Sequence, residues 1–258
     1  MAPAEYHRRF DALEVIVSPT RPQMGARAAT DIAAELRTRL ANQPGVRMIF
    51  AAAPSQSEML AALIEAPGID WQRVTAFHMD EYVGLPPGAP ERFAEWLDAC
   101  LFSRLPFAAV HKLQPDSGAE AEATRYAALL SAAPIDIVCL GIGVNAHIAF
   151  NDPPVADFND PLDVKVVELD AVCRQQQVDD KCFPSLDDVP HYALSLTIPR
   201  LLRADKLFCI VPGPAKRDAV TGTLYGPIVT ACPSSILRQQ ANCTLYIDAN
   251  SAPAQFSA

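Results

Sequence analysis

Short, predominantly apolar runs alternate with longer segments of helical spacing along most of this 258-residue chain. Residues 13–17, 46–53 and 135–140 have the character of strands in a sheet that is buried on both faces. Residues 23–40 instead carry an apolar side chain every three or four positions, which predicts an amphipathic helix. Strands that alternate with helices predict an α/β fold with a mainly parallel sheet covered by helices on both faces.

The same alternation continues to the end of the chain. Further strands are predicted at residues 74–79, 110–113, 164–169, 193–197, 207–211 and 244–247. Further helices are predicted at residues 57–65, 91–105, 120–132, 199–203, 215–224 and 234–239. The prolines fall at turns, and no internal repeat, low-complexity stretch or linker interrupts the pattern. The sequence therefore predicts a single domain over residues 1–258.

Composition narrows the class of partner. The formal net charge is −9, which disfavours nucleic acid and anionic membrane surfaces. No apolar run reaches the length of a membrane span, and residues 1–5 lack the start of a secretion signal, so a cytoplasmic location is expected. Seven scattered cysteines, an odd number with no C-x-x-C pair, disfavour a disulfide framework or a zinc cluster.

The most informative segment is a glycine-rich turn at residues 141–153, which follows an apolar strand. Glycines let the backbone turn sharply, and open α/β sheets place their sites at the carboxyl ends of strands. Imidazole titrates near neutral pH, so His147, bracketed by Asn145 and Asp152, is a candidate proton shuttle. The alternative is a half-buried histidine that is hydrogen-bonded to a backbone carbonyl.

A second candidate is the acidic pair that follows the strand at residues 74–79. Asp80 and Glu81 come directly after apolar residues, so at least one carboxylate is expected to be partly buried. Burial raises the pKa of a carboxyl group and suits it to act as a general base. The alternative is that Asp80 caps the following turn and Glu81 is solvated.

Two further strand-to-helix turns suit an anion. Ser55, Gln56 and Ser57 offer hydroxyl, amide and N–H groups at a helix start, although Ser55 and Glu58 also fit a simple capping box. Lys216 follows a Pro-Gly-Pro turn, in a first helical turn where the helix dipole favours anions. A lysine is unfavourable at a helix start, and a phosphate bound beside Lys216 would offset that repulsion. The alternative is a solvated lysine.

These segments together resemble the glucosamine-6-phosphate deaminase family. Residues 79–86, Met-Asp-Glu-Tyr-Val-Gly-Leu-Pro, resemble its signature, and residues 141–153 resemble its motif Gly-x-Gly-x-x-x-His-Ile-Ala-Phe-Asn-acid-Pro. Residues 213–216 are similar to its phosphate-binding lysine turn. The resemblance spans residues 27–248 and implies the modified Rossmann-like fold shared with 6-phosphogluconolactonases and ribose-5-phosphate isomerases.

The resemblance also implies a reaction. His147 would shuttle a proton during opening of the sugar ring, and Asp80 would move a proton between C2 and C1 before ammonia leaves. Asn145 and Asp152 would support His147, and no cofactor or metal is implied. The implied partner is a small sugar phosphate, and homo-oligomers are common in the family. The implied substrate-binding residues are Ser55, Gln56, Ser57, Glu81, Gly141 and Lys216.

The chain departs from the family pattern at the turn. The family has Asp where this chain has Asn145, Gly where it has Ala146, and Glu where it has Asp152. An amide can orient the imidazole but brings no charge. A Gly-[Gly/Ser]-Thr-Pro phosphate loop is replaced by residues 55–58, and the second phosphate cation has only Lys181 and Arg174 as candidates. Two other functions therefore stay open: a lactonase-like hydrolase or other sugar-phosphate isomerase, and a non-catalytic sugar-phosphate sensor.

Overall fold

Eleven strands and seven α-helices lie within residues 5–257, the part of the chain that this computed structural model describes. The strands are β1 (Tyr6–Phe10), β2 (Leu13–Ser18), β3 (Val46–Phe50), β4 (Val74–His78), β5 (Asp80–Val83), β6 (Ala109–His111), β7 (Ile137–Leu140), β8 (Val164–Glu168), β9 (Tyr192–Leu196), β10 (Lys206–Val211) and β11 (Cys243–Asp248). The helices are α1 (Arg21–Asn42), α2 (Ser57–Ile64), α3 (Phe93–Cys100), α4 (Ala119–Ser131), α5 (Ala171–Asp179), α6 (Ile198–Leu202) and α7 (Arg217–Tyr225). None of these helices is both long and apolar enough to cross a bilayer.

The central sheet has eight strands in the order β1-β2-β11-β10-β7-β3-β4-β6. Every neighbouring pair is parallel except β1 and β2, which form an antiparallel pair at one edge. This arrangement confirms the predicted α/β fold with a mainly parallel sheet. Parallel strands align their carboxyl ends along one edge, so the turns that follow β3, β4, β7 and β10 lie side by side.

Both faces of the central sheet are buried, as predicted. Phe208 and Ile210 of β10 belong to the core beneath α1, α2 and α3. Leu207 and Cys209 of the same strand belong to the core beneath α4, α6 and α7. Successive side chains of a strand point to opposite faces, which explains why these strands read as continuous apolar runs and not as alternating ones.

The helix α1 shows how local sequence sets an element. Thr20 accepts a hydrogen bond from the N–H of Gln23 at the amino terminus, and Pro22 occupies the first turn, where its missing N–H costs nothing. The apolar positions that predicted this helix face the sheet and are buried. A Cβ on Gly25 would lie 2.6 Å from the Glu58 Cβ, so glycine allows α2 to pack closely against α1.

Three elements were not predicted, and one sheet differs from the expectation. Strands β8 and β9 form at the predicted residues, but they pair with β5 in a separate antiparallel sheet of order β5-β9-β8. β5 covers residues for which the sequence pattern predicts no strand. β1 escaped prediction because its sequence, Tyr-His-Arg-Arg-Phe, is largely polar and exposed, and α5 escaped because three consecutive glutamines weaken its apolar spacing.

The small sheet is anchored by an aromatic cluster. Tyr82 of β5 lies between Phe93, Phe150 and Phe183, with ring centroids 4.8, 5.4 and 5.3 Å away. Such offset and edge-on contacts are a favourable arrangement for aromatic rings. Because only Met79 separates β4 from β5, this cluster fixes the position at which the two sheets meet.

Candidate active site

A cavity of about 260 Å³ opens at the carboxyl ends of β3, β4, β7 and β10. This is the edge at which open α/β sheets bind ligands. It is lined by Arg21, Ala51, Ala52, Ala53, Pro54, Ser55, Gln56, Met79, Asp80, Phe93, Gly141, Ile142, Gly143, His147, Ala149, Phe150, Gln176, Gln177, Asp180, Cys182, Pro212, Gly213, Pro214, Ala215 and Lys216. Four widely separated sequence segments that were singled out for their chemistry thus meet around one space.

Asp80 is the candidate base of this cavity. It is the first residue of β5, it lines the cavity, and only 7 % of its surface is exposed. Burial raises the pKa of its carboxyl group well above the ordinary value, and the neighbouring charge of Glu81 raises it further. A desolvated carboxylate in this state is a stronger proton acceptor than one in water.

Glu81 has a different task from the one expected of it. Its carboxylate accepts hydrogen bonds from the N–H groups of Phe93 and Ala94, at 3.1 and 2.9 Å, and from its own neighbour Tyr82 at 2.9 Å. It therefore caps the start of α3 and does not line the cavity. Burial raises its pKa to about 7, and these N–H groups limit the rise. Glu81 is therefore not placed to contact a substrate in the cavity, as the resemblance implies, and it is not solvated, as the alternative reading holds.

His147 lines the same cavity as Asp80, and its imidazole contacts a buried carboxylate. Its Nδ1 is 2.9 Å from Oδ1 of Asp152, which is completely buried. The two groups are thus in ion-pair contact whenever the imidazole is protonated. Burial favours the neutral acid, but the contacts with His147 and Asn145 outweigh it and hold the pKa of Asp152 below its ordinary value.

The Asn145 side chain forms no hydrogen bond with the imidazole itself, contrary to the expectation that it orients the ring. Its amide nitrogen donates to Oδ1 of Asp152 at 3.0 Å, and its carbonyl oxygen accepts the backbone N–H of His147 at 3.2 Å. The amide therefore orients the carboxylate and shapes the turn. The turn also needs Ala146 at φ 67°, a left-handed conformation that glycine adopts with less strain.

Gly143 provides the space that the imidazole occupies. A Cβ at this residue would lie 2.2–2.3 Å from three atoms of the His147 ring. The ring consequently rests against the backbone of the turn, a close approach that only glycine permits. Gly141, one of the predicted binding residues, faces the cavity beside Gln56, whose Nε2 would lie 3.1 Å from an added Cβ.

One group of side chains has the composition of a metal-ligand set. Donor atoms of His147, Asp152 and Cys173 all lie within 4.8 Å of one another. The carboxylate is, however, already engaged by the amide of Asn145, by the Asp170 N–H at 3.4 Å and by the Cys173 thiol. This is the bonding of a carboxylate that serves as a hydrogen-bond acceptor.

The turn after β3 contributes two of its three predicted residues. Ser55 and Gln56 line the cavity, and Nε2 of Gln56 donates to the Ile210 carbonyl at 3.2 Å, which ties this turn to β10. Ser57 begins α2 and is not part of the lining. The capping box is also wrong, because α2 has no side-chain cap and the Glu58 carboxylate accepts instead from Arg21 at 2.7 Å.

Two cations line the cavity, and only one of them was predicted. Lys216 is 9 % exposed, and burial lowers its pKa to about 8 although the charge of Asp180 opposes that shift. Arg21, at the start of α1, is the second. Lys181 and Arg174, the predicted candidates, do not line the cavity, and Arg174 donates instead to the carbonyls of Leu186 and Val189. The available signal was that Arg21 follows the end of β2 after only Pro19 and Thr20.

The remaining wall was missed entirely. Gln176, Gln177, Asp180 and Cys182 lie on α5 and the turn that follows it, and all four line the cavity. Gln176 is held by the Val144 N–H at 2.9 Å and by Asp180 at 3.2 Å. No sequence motif marks this segment, so only the fold reveals that it faces the site.

Comparison with known proteins agrees with this architecture. A sequence model for glucosamine-6-phosphate isomerases/6-phosphogluconolactonase matches residues 19–246. A glucosamine-6-phosphate deaminase of Listeria monocytogenes serotype 4a (strain HCC23) is 34 % identical over 206 residues, 79 % of this chain and 85 % of that protein. A glucosamine-6-phosphate deaminase of Bacillus thuringiensis (strain Al Hakam) is 34 % identical over 183 residues, 70 % and 67 % of the two chains.

Solved structures share the fold. A monomeric glucosamine-6-phosphate deaminase has a TM-score of 0.84 at 27 % identity, over 92 % of this chain and 98 % of that one. A 6-phosphogluconolactonase from Thermotoga maritima has a TM-score of 0.74 at 18 % identity, over 91 % and 98 % of the two chains, which is a likeness of the fold alone. The chain belongs to the family of glucosamine-6-phosphate isomerases and 6-phosphogluconolactonases.

Proposed function

We propose that this chain is an amino-sugar phosphate deaminase, which converts glucosamine 6-phosphate and water into fructose 6-phosphate and ammonia. The observation that carries the proposal is that a buried carboxylate, Asp80, and a carboxylate-backed imidazole, His147, line one cavity with two cations. A proton acceptor, a proton shuttle and an anion site are what this reaction needs. The relatives named as glucosamine-6-phosphate deaminases support the choice of substrate.

The phosphate group of the sugar is assigned to the part of the cavity wall that Arg21 and Lys216 form. Both cations belong to turns at the carboxyl ends of strands, together with the Ser55 hydroxyl. In an acidic protein of net charge −9, Lys216 supplies local positive charge for a phosphate dianion, and Arg21, which also binds the Glu58 carboxylate, adds further N–H donors. Binding at the phosphate holds the reacting carbons at the other end of the sugar and reduces the entropic cost of the reaction.

His147 is assigned to ring opening. An imidazole can take the proton of the C1 hydroxyl and return one to the ring oxygen, which gives the open-chain aldehyde. Asp152, 2.9 Å away, stabilises the imidazolium while it carries the proton. Because Asp152 is buried and its pKa is lowered, it stays ionised throughout the neutral range.

Asp80 is assigned to the isomerisation. The aldehyde at C1 acidifies the C2 proton, Asp80 removes it, and the electron pair forms the C1=C2 bond while the C1 oxygen takes a proton from solvent, which gives an enolamine. Return of the proton to C1 gives an iminium at C2, water adds to that carbon, and ammonia leaves. The substrate's own carbonyl provides the activation, so no cofactor is required. Burial makes the Asp80 carboxylate a better acceptor for the C2 proton.

The test is to incubate the purified protein with glucosamine 6-phosphate and to measure ammonia and fructose 6-phosphate together. Equal amounts of the two products are expected. Hydrolysis of 6-phosphogluconolactone without release of ammonia would point to the lactonase-like alternative. Tight binding of the amino sugar phosphate without turnover would point to the sensor, and either result contradicts the proposal.

A further inference from the structure

His78 is a buried histidine that lies outside the cavity and two residues before the candidate base. It is the last residue of β4 and is completely inaccessible to solvent. Its Nδ1 lies 2.9 Å from the backbone carbonyl of Asp80, and its Nε2 lies 2.9 Å from the backbone N–H of Leu113. A carbonyl only accepts and an N–H only donates, so these contacts fix one tautomer, with the proton on Nδ1.

The backbone of His78 is held as firmly as its ring. Its N–H donates to the hydroxyl of Tyr126 at 3.0 Å, and that hydroxyl lies 2.9 Å from the His78 carbonyl. Tyr126 belongs to α4 and also reaches the carbonyl of His111 at the end of β6, 3.0 Å away. Burial lowers the pKa of His78 to about 3, so the imidazole is neutral and the tautomer persists at working pH.

The Asp80 carboxylate itself has no comparable support. Burial and the charge of Glu81 account for its raised pKa, and no hydrogen bond to its oxygens arises within residues 5–257. Its direction must therefore come from the backbone that carries it. On one side that backbone pairs with β9, where the Leu196 N–H donates to the Met79 carbonyl at 2.8 Å. On the other side, the Asp80 carbonyl is bound by His78.

We propose that His78 is a positioning residue: through its Nδ1–H bond to the Asp80 carbonyl, it aims the Asp80 carboxylate at the substrate carbon that loses its proton. This inference rests on the proposed deaminase function. His78 belongs to β4, and its ring binds Asp80 of β5 and Leu113 of the segment after β6. It therefore ties these three parts of the chain together. A shift of the base by about 1 Å can lower the rate roughly 100-fold, so a residue remote from the substrate can control the chemical step.

Two substitutions of His78 test the hydrogen bonds of its two ring nitrogens one at a time. The amide nitrogen of Asn occupies the place of Nδ1, so His78→Asn keeps the donor to the Asp80 carbonyl and loses the acceptor for Leu113. The side-chain oxygen of Gln occupies the place of Nε2, so His78→Gln keeps the acceptor and loses the donor. Each variant retains one of the two hydrogen bonds, and we expect similar losses of thermal stability. The control is His111→Gln, because the His111 ring also lies near the junction of β4 and β5, with its centroid 4.9 Å from that of Phe77.

We expect the two variants to differ in kcat although their thermal stabilities are similar. His78→Gln lowers kcat by about 10- to 100-fold with little change in KM, whereas His78→Asn retains most of the wild-type kcat. Equal losses of kcat in both variants, or losses that follow the melting temperature, overturn the positioning role while the wild-type enzyme remains active. A wild-type protein that releases no ammonia overturns the proposed function and this inference with it.

Discussion

The side-chain amide of Asn145 donates a hydrogen bond to Oδ1 of Asp152 at 3.0 Å, the same oxygen that faces the imidazole of His147. The amide thus neutralises no charge but fixes the carboxylate on which the imidazole depends. In this turn a shorter acid and an amide take the places of the longer acid and second carboxylate that the family pattern implies. The relay here carries a single negative charge.

Asn145→Asp is therefore expected to shift the pH profile. A second carboxylate 3.0 Å from Asp152 makes both groups harder to ionise, so the pair retains a proton to higher pH. The acid limb of kcat/KM should move to higher pH, as measured by ammonia release across a pH series. Asn159→Asp, on an exposed loop, is the matched control. An unchanged profile in Asn145→Asp would show that this position does not tune His147.

Asp80→Asn is expected to remove turnover while binding survives. The amide has almost the same shape but cannot accept the C2 proton, and loss of a general base costs about 10²- to 10⁴-fold. Turnover is measured as ammonia release, and binding of the sugar phosphate by calorimetry. The exposed Asp187→Asn controls for the charge change. Near-normal turnover in Asp80→Asn would exclude Asp80 as the base.

Gly143→Ala is expected to displace the His147 imidazole and leave the fold intact. The backbone of Gly143 does not lie at positive φ, so alanine fits the chain, but its Cβ would overlap the His147 ring. We expect kcat to fall about tenfold or more with little change in the free energy of unfolding. Gly222→Ala in α7, where the nearest atom is the Cys232 sulfur at 3.4 Å, is the control. Retained kcat would place the ring elsewhere during catalysis.

Lys216 should make substrate binding sensitive to alkaline pH. Its pKa of about 8 means that the ammonium loses its proton as the pH rises through that value, and the phosphate loses a cation. KM for glucosamine 6-phosphate should therefore rise above pH 8. Lys216→Ala should raise KM about 10- to 100-fold at pH 7, in line with a hydrogen bond between charged groups.

Lys216→Arg provides the control for this mechanism, because the guanidinium remains protonated at alkaline pH. Its KM should stay flat between pH 7 and pH 9. If KM in Lys216→Arg rises as much as in the wild type, the weaker binding at alkaline pH is due to another group.

Glu81 should make the protein less stable as the pH rises from acid to neutral. Its pKa is about 7 in the folded protein against 4.5 in the unfolded chain, so the folded state holds the proton more tightly. Stability from this group is complete below pH 4.5 and is lost as the pH approaches 7, by roughly 1.4 kcal/mol for each pKa unit. Denaturant unfolding at pH 5 and pH 7 measures the difference. In Glu81→Gln this pH-dependent part should vanish, and its persistence would point to another carboxyl group.

Sequence reasoning reached the central sheet because its strands are buried on both faces. Residues 13–17 and 207–211 read as apolar runs for the same reason that Val15 and Cys209 are buried. The separate antiparallel sheet could not be inferred, because β5 forms where glycine and proline follow within a few residues and indicate a loop. That stretch is a strand because it pairs with β9, and Tyr82 packs there against rings of distant segments, contacts that local sequence does not reveal.

Some residues of the candidate site could likewise be predicted from the sequence, and others could not. Asp80, His147 and Lys216 lie in motifs at strand ends, where spacing and residue type are informative. Arg21 and Glu81 could not be assigned correctly, because their roles depend on which element folds next to them: the Glu81 carboxylate meets the start of α3, and Arg21 reaches the cavity beside the turn after β3.

The wall formed by α5 and its following turn has a consequence for how new substrate preferences arise. The groups assigned to chemistry and to the phosphate come from the central sheet and its turns, whereas Gln176, Gln177, Asp180 and Cys182 come from one short stretch outside it. Under the proposed function, replacement of Gln177, Asp180 and Cys182 would change the surface beside the sugar and leave the base, the imidazole and the cations in place, whereas Gln176 also holds the Val144 N–H of the glycine-rich turn. A lineage with this architecture can diversify the sugars it accepts through a single small region of its gene.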